Sequence, residues 1–215
     1  MKTPGIVCIG AKRTPMGRFG GSFKEIYSYD LAAPLIKELL AVTNLAGSKI
    51  DDVIIGNCRQ AGNGPNPGRT ASVRGGVPID VPVATINMAC PSGMKALELA
   101  AMRLKLGEAR FVLVGGMESM STMPYLLKDV RWKGFRMGNK ELLDGWADST
   151  DPLIGQGMGM TAENLYDKYG ISRQAQDEFA ANSQEKAFKA WEAGHFANEV
   201  VPVEGDGGLV ERDET

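Results

Sequence analysis

The sequence predicts an α/β fold, with a mainly parallel sheet and helices on its faces. Short apolar segments alternate with helical patterns along residues 6–114, an order that is typical of a parallel sheet. The chain has 215 residues, of which 43% are hydrophobic and 23% charged, which is sufficient for a real core. From about residue 121 the apolar periodicity is lost. We therefore expect a loop-rich, partly helical insertion after the sheet.

The predicted elements of the first part follow one another closely. The strands are residues 6–9, 52–56, 81–86 and 110–114, the last followed by Gly115 and Gly116. Asp30 is expected to cap a first helix, residues 70–74 to form a short helical turn, and residues 92–106 to form a helix that Gly107 ends. These elements predict a core domain over residues 1–120.

The second part carries fewer regular signals. Thr161 is expected to cap a short helix that reaches Tyr169, and Ser172 to start a long helix that Gly194 ends. One face of that long helix combines four apolar residues, Phe179, Ala187, Phe188 and Trp191. Residues 200–203 predict a strand, followed by a polar turn. We assign residues 121–215 to a second domain.

Composition excludes several classes of function. The net charge is −2 and the basic residues are interspersed with acidic ones, so we expect no nucleic-acid partner. The three cysteines have unrelated spacings, which indicates neither a metal site nor a disulfide framework. No segment approaches the roughly 20 apolar residues of a membrane span, and the first apolar run is too short for a signal peptide. These features predict a cytoplasmic protein without a membrane or metal partner.

Cys90 lies where a predicted strand passes into a predicted helix. Pro91, Ser92 and Gly93 follow it, and this combination is typical of a helix start with uncrowded amides. If Cys90 caps the helix, the positive end of the helix dipole favours the thiolate and lowers the thiol pKa. The same amides would stabilise an oxyanion beside the sulfur.

Two interpretations of Cys90 stay open from the residues alone. A free cysteine is commonly a small buried hydrophobic residue, which is how we interpret Cys8, inside a predicted strand, and Cys58, just after another. Cys90 differs because its neighbours form the turn and helix start that a catalytic nucleophile requires. A structural role and a catalytic role therefore remain alternatives at this point.

The segment Asn87-x-x-Cys90-x-Ser92-Gly93-x-x-Ala96 resembles the nucleophile motif of the thiolases, which make or split β-ketoacyl-CoA thioesters. Further segments resemble that family in the same order: Arg13-Thr-Pro-x-Gly-x-Phe-x-Gly21, Gln60-Ala-Gly-x-Gly-x-Asn-Pro-x-Arg69, Gly115-Gly-Met-Glu-Ser-Met-Ser121 and Met158-Gly-x-Thr-Ala-Glu-Asn164. The match runs from end to end of the chain. It implies a thiolase N-terminal core domain at 1–120 and an incomplete, substrate-covering loop domain at 121–215.

The resemblance implies that Cys90 accepts an acyl group as a thioester. It also implies that Trp146 and Met158 line the pocket for pantetheine and acyl group, with ordinary packing as the alternative for each. The substrates would be coenzyme A and acetyl-CoA or a longer acyl-CoA, with no permanently bound cofactor. The implied assembly is a homo-oligomer, a dimer or tetramer in the full-length form. Two departures, Pro91 and Gly157, leave the acyl specificity open.

The family's second half contributes a Gly-His-Pro histidine, a Cys-x-Gly-Gly-Gly cysteine and an asparagine. The printed sequence contains neither motif, and its sole histidine, His195, is interpreted as a surface residue. We therefore expect an acyltransferase fragment that is inactive alone. The alternatives are a non-catalytic thiolase remnant, acting as a dimerisation or interaction module, and a condensing enzyme of the ketoacyl synthase type.

Other conspicuous residues have structural interpretations. Gly115, Gly116 and Glu118 are expected to shape the turn after a strand, and Arg13 and Arg69 to form structural ion pairs or interface contacts. The glycine-rich segment 62–68 lacks the Gly-Lys-Ser/Thr ending of a phosphate-binding loop. None of these residues is predicted to perform chemistry.

Overall fold

The computed structural model describes residues 5–146 and 150–214. Contacts between residues group the chain into two compact units. Of the described residues, the first unit contains 5–122 together with 198–214, and the second contains 123–146 and 150–197. Residues 198–214 thus group with the predicted core rather than with the predicted loop domain.

A three-stranded parallel sheet forms the centre of the first unit. Its order is β2-β1-β3, where β1 is Asp52–Gly56, β2 is Val83–Ile86 and β3 is Val112–Gly116. Gly56 at the end of β1 is paired with Ile86 on one side and with Gly116 on the other. All three strands therefore end at the same edge of the sheet.

Helices cover both faces of this sheet, as predicted for an α/β fold. Helices α1 (Ser28–Val42), α2 (Pro67–Arg74) and α3 (Ser92–Leu106) alternate with the strands along the chain. Val53 and Ile55 pack with residues of α1 and α2. Ile54, which points to the opposite face, packs against Ala96 and Ala100 of α3. Because β1 is buried on both faces, it is apolar throughout its centre.

The predicted first strand, residues 6–9, is wrong. These residues form no strand, and Val7 is 75% and Ile9 56% exposed. A strand needs a hydrogen-bonding neighbour, and within the described residues the sheet ends at β3. The apolar run instead borders an open groove whose other walls come from α1, α3 and β3.

Several further boundaries differ from the sequence prediction. Strand β2 starts two residues later than predicted, β3 lies two residues further along the chain, and the strand predicted at residues 200–203 starts at Val203. The expectation that Thr161 caps a helix is wrong, because that helix starts at Met158 with Gly157 as its cap residue.

Helix α1 starts at Ser28, so that Asp30 lies in its first turn rather than at its cap. Asn66 caps α2 by accepting a hydrogen bond from the Arg69 amide at 3.0 Å, so this helix begins three residues before the predicted turn. Strand β1 and helix α3 have the predicted bounds.

In the second unit the described residues 123–146 and 150–157 are loop-rich, as predicted, and are followed by α4 (Met158–Tyr169) and α5 (Arg173–Glu192). Ser172 caps α5 through a 3.1 Å bond from the Ala175 amide to its hydroxyl. Phe179 and Phe188 of the predicted apolar face are 78% and 62% exposed. This face is therefore largely uncovered within the unit.

The C-terminal residues of the first unit form a hairpin of β4 (Val203–Gly205) and β5 (Gly208–Val210). Arg13 connects this segment to the N-terminal region by two ion pairs. Its guanidinium donates to Glu199 at 2.7 Å and makes a bidentate contact with the Asp213 carboxylate at 2.7 and 3.1 Å. These contacts explain why residues 198–214 join the first unit. Among the described helices, none combines the length and the apolar character that crossing a membrane requires.

Candidate active site

Cys90 lies at the edge of the sheet where the parallel strands end. Strand β2 ends at Ile86, helix α3 begins at Ser92, and Cys90 is exposed in the turn between them. The cap residue of α3 is Pro91, so the expectation that Cys90 itself caps the helix is wrong by one position. Ligand and catalytic sites of open α/β sheets favour this edge.

The start of α3 approaches the sheet closely because glycines line the contact. A Cβ atom on Gly56 would lie 2.5 Å from the carbonyl carbon of Ser92 and 2.6 Å from the Gly93 nitrogen. On the other side, a Cβ on Gly116 would lie 3.4 Å from the Gly93 Cα. The ends of two strands therefore fix the position of the first turn of α3.

The backbone of the turn is held in a strained conformation next to Cys90. Ala89 has a φ of 54°, a region that residues other than glycine rarely occupy. The Asn87 side chain accepts a hydrogen bond from the Ala89 amide at 2.8 Å and donates one to the Cys58 carbonyl at 2.8 Å. Strain of this kind persists only where surrounding contacts hold it.

Ser92 closes the other side of the turn. Its hydroxyl donates to the Ala89 carbonyl at 2.6 Å and accepts from the Met88 amide at 2.9 Å. The Ser92 amide also donates to the Ala89 carbonyl at 3.1 Å. One of the amides that the sequence predicted as available to an oxyanion is thus engaged within the turn.

Glu118 organises the neighbouring turn after β1. Its carboxylate accepts hydrogen bonds from the amides of Cys58 and Arg59, at 3.0 and 3.1 Å, and from the side chain of Asn57 at 2.9 Å. Glu118 therefore shapes a turn, as predicted, but the turn is the one after β1 rather than its own.

The three cysteines differ in environment. Cys90 and Cys8 are exposed, whereas Cys58 is half-buried. Burial, followed by the negative charge of Glu118, raises the pKa of the Cys58 thiol. The prediction that Cys8 is shielded in a strand is wrong, because residues 6–9 pair with no strand.

The two predicted pocket residues both belong to the second unit. The Trp146 side chain is half-buried, and its amide donates to the Asp144 carboxylate at 2.9 Å. Met158 is the first residue of α4 and is 58% exposed. Their role in binding pantetheine or acyl groups stays a prediction.

The remaining candidates serve structure. Arg13 forms the expected ion pairs, and its pKa is raised chiefly by the hydrogen bond to Asp213. Arg69 donates to the backbone carbonyls of Ile79 and Val81. His195 is exposed, as predicted. Among the described residues no cluster of histidine, cysteine and acidic side chains could hold a metal ion.

Sequence reasoning missed two residues that hold Cys90 in place, Gly56 and the strained Ala89. Gly56 had a detectable signal, since a glycine at the end of an apolar strand marks a close backbone approach. The role of Ala89 had none, because alanine shows no preference for a positive φ.

Comparison with known proteins gives a consistent result. The family model described as "Thiolase, N-terminal domain" matches residues 6–215. A probable acetyl-CoA acyltransferase of Staphylococcus aureus is 47% identical over 97% of this chain and 55% of its own length. The crystal structure of the Bacillus anthracis acetyl-CoA acetyltransferase matches with a TM-score of 0.90 and 39% identity, over 96% of this chain and 53% of that one.

Human mitochondrial 3-ketoacyl-CoA thiolase, solved in complex with CoA, also matches with a TM-score of 0.90, at 35% identity over 96% of this chain and 53% of that one. The chain thus spans about half the length of these relatives. The family match covers nearly the whole chain. The parallel sheet with helices on its faces is also the fold that the sequence predicted. The chain therefore belongs to the thiolase family, to whose N-terminal domain it corresponds.

Proposed function

We propose that this chain provides the acyl-accepting part of a thiolase active site, with Cys90 as the nucleophile. The observation that carries the proposal is the exposed Cys90 on a positive-φ turn directly before α3, at the edge where the strands end. Such a strained turn between strand and helix presents a nucleophile to substrate in other enzymes. Membership of the thiolase family supplies the reaction class.

The proposed reaction transfers an acyl group between two thiols. The Cys90 thiolate attacks the thioester carbonyl of acyl-CoA, and a tetrahedral oxyanion forms. Its collapse breaks the bond between the carbonyl carbon and the CoA sulfur, leaving an acyl thioester on Cys90. The proton lost by the Cys90 thiol ends on CoA. The positive end of the α3 dipole favours the negative charge on the oxyanion.

The carbon–carbon step of Claisen condensation or thiolysis needs a base for the α-proton of a second thioester. The only histidine of this chain, His195, is exposed in the second unit, and we assign it no catalytic role. We propose that the base comes from the part of the thiolase that corresponds to the remaining length of the relatives. Trp146 and Met158 are proposed to contact the pantetheine and acyl groups.

The other properties proposed for the whole enzyme follow from the family. Acyl-CoA is the substrate, no resident cofactor is required, and the full-length form is a cytoplasmic homo-oligomer.

Acetylation of the chain tests the nucleophile directly. We expect slow, single-turnover transfer from acetyl-CoA to Cys90, identified by mass spectrometry of peptides. Cys90→Ser should abolish the transfer, because a hydroxyl without a dedicated base is a far weaker nucleophile, whereas Cys8→Ser should retain it. Acetylation of Cys8 or Cys58 in preference to Cys90, or none at all, would refute the proposal. Absence of acetylation in a folded, self-associating chain would favour a non-catalytic remnant.

Turnover is the second test. The 215-residue chain should show no measurable thiolysis of acetoacetyl-CoA, because loss of members of a catalytic unit typically costs several orders of magnitude in rate. The assay follows the consumption of free CoA thiol and the formation of acetyl-CoA, two molecules of which arise from each acetoacetyl-CoA and CoA. Sustained turnover by this chain would show that the base lies within it and would overturn the assignment above.

A further inference from the structure

A continuous set of hydrogen bonds links Glu118 to the turn that presents Cys90. The Glu118 carboxylate accepts hydrogen bonds from the amides of Cys58 and Arg59 at 3.0 and 3.1 Å. The Cys58 carbonyl accepts a hydrogen bond from the Asn87 side-chain N–H at 2.8 Å. The Asn87 side-chain oxygen in turn accepts a hydrogen bond from the Ala89 amide at 2.8 Å. Every link connects groups within the first unit.

The last member of this set is the strained residue. Ala89 has a φ of 54°, and its carbonyl is bonded by the hydroxyl and amide of Ser92. Without a bond to its amide, Ala89 would relax toward a negative φ, because its Cβ disfavours the left-handed region. Such a relaxation would rotate the next peptide, which carries Cys90.

We propose that Glu118 is a positioning residue for Cys90: its carboxylate fixes the turn after β1, and that turn, through Asn87, keeps Ala89 in the conformation that presents the thiol. Glu118 acts through these residues and needs no contact with substrate. The inference rests on the proposed function only in so far as Cys90 is the nucleophile. The hydrogen-bond set itself is independent of that role.

Glu118→Gln is the matched perturbation, since it keeps size and shape. The carboxylate accepts three N–H donors through both oxygens, whereas an amide presents one oxygen and two N–H donors of its own. At least one of the three N–H donors, from the Cys58 amide, the Arg59 amide or the Asn57 side chain, therefore loses its acceptor. Glu98→Gln is the control, because Glu98 is an exposed residue of α3 that pairs with Lys95.

Amide hydrogen exchange tests the network without any reference to activity. In Glu118→Gln, the amides of Ala89 and Ser92 should exchange about tenfold faster or more, while those of the C-terminal half of α3 keep their protection. Asn87→Ala should give the same pattern. Unchanged exchange at Ala89 in both variants would overturn the proposal.

Acetyl transfer tests the consequence for Cys90. The rate of single-turnover acetylation should fall by about tenfold to 10²-fold in Glu118→Gln, as expected for a nucleophile displaced by up to about 1 Å. The rate should fall equally at every pH, with an unchanged midpoint of the pH profile. A shifted midpoint with an unchanged plateau rate would show that Glu118 acts through its charge and would overturn the positioning role.

A rescue experiment separates positioning from general destabilisation. Glycine adopts a positive φ without the steric cost that alanine has, so Ala89→Gly should restore most of the acetyl-transfer rate lost in Glu118→Gln. A double variant as slow as Glu118→Gln alone would refute the role of the strained turn. If the wild-type chain shows no acetylation, the proposed function fails, whereas the exchange measurements still decide the network.

Discussion

Gly56→Ala is expected to displace the start of α3 and with it Cys90. The added Cβ would lie 2.5 Å from the Ser92 carbonyl carbon, 2.6 Å from the Gly93 nitrogen and 2.7 Å from the Ser92 oxygen. All three are backbone atoms, so no side chain can rotate away. Because carbon contacts are comfortable from about 3.5 Å, the helix start must retreat by about 1 Å.

The size of the effect follows from this geometry. Overpacking of a well-packed contact costs about 1–3 kcal/mol, and a backbone contact that cannot adjust should fall near about 3 kcal/mol. For a chain of this length that corresponds to a decrease in melting temperature of about 6–12 °C. A 1 Å displacement of the nucleophile should lower the acetyl-transfer rate by about 10²-fold.

The assay combines thermal unfolding with single-turnover acetylation. Gly115→Ala is the matched control, because it also adds a methyl group near the end of a strand, yet its nearest neighbour would be Ile55 Cδ1 at 3.8 Å. That variant should change the free energy of unfolding by less than about 0.5 kcal/mol. If Gly56→Ala matches this control in both melting temperature and acetylation rate, the close approach does not position Cys90.

Three further outcomes are expected. At neutral pH iodoacetamide should alkylate Cys58 more slowly than Cys90, since burial and, to a lesser degree, Glu118 raise the Cys58 pKa; the difference should narrow as pH rises toward that pKa. Arg13→Gln should lower the free energy of unfolding by about 2 kcal/mol and speed hydrogen exchange in residues 198–214. The chain should self-associate through its apolar groove, and Val7→Glu should reduce the apparent mass in light scattering.

Each outcome has a matched comparison. Faster labelling of Cys58 than of Cys90 in folded protein would contradict the expected order of thiol reactivity. Arg173→Gln, which removes an 84% exposed guanidinium from an ion pair on α5, should leave stability unchanged; an equal loss would show that the contacts of Arg13 are not special. Leu209→Glu, at a 58% exposed site, should leave self-association intact. If Leu209→Glu and Val7→Glu lower the apparent mass equally, the groove is not the surface through which the chain self-associates.

Local signals explain what could be predicted. Strand β1 and helix α3 have the predicted bounds because neighbouring residues mark where each one ends. The apolar run of β1 stops before Asn57, and Gly107 ends α3 with a φ of 73°. The turn that carries Cys90 was found for the same reason, since Pro91 and Ser92 mark a helix start. The thiolase resemblance, now confirmed by the family match, added the chemistry.

Long-range pairing explains what could not be predicted. Residues 6–9 have the composition of a strand, but strand formation depends on a partner that no local pattern reveals. The close approach of Gly56 to Ser92 joins residues that are 36 positions apart in the sequence. The hydrogen bonds of Glu118 reach back about 60 positions to Cys58 and Arg59. Such partners follow from sheet order, which the sequence leaves open.

The register of the sheet connects these distant residues and accounts for the precision of the turn. Gly56 is paired with Ile86 and with Gly116, so the residues that follow the three strands emerge at one level. The amide of Asn57 thereby donates to the Ile86 carbonyl at 3.0 Å, and the Asn57 side chain donates to Glu118 at 2.9 Å. A slip of one residue would reverse the faces of a strand and separate these partners. The position of Cys90 is consequently set by strand pairing around the buried strand β1, although the thiol itself lies in an exposed turn.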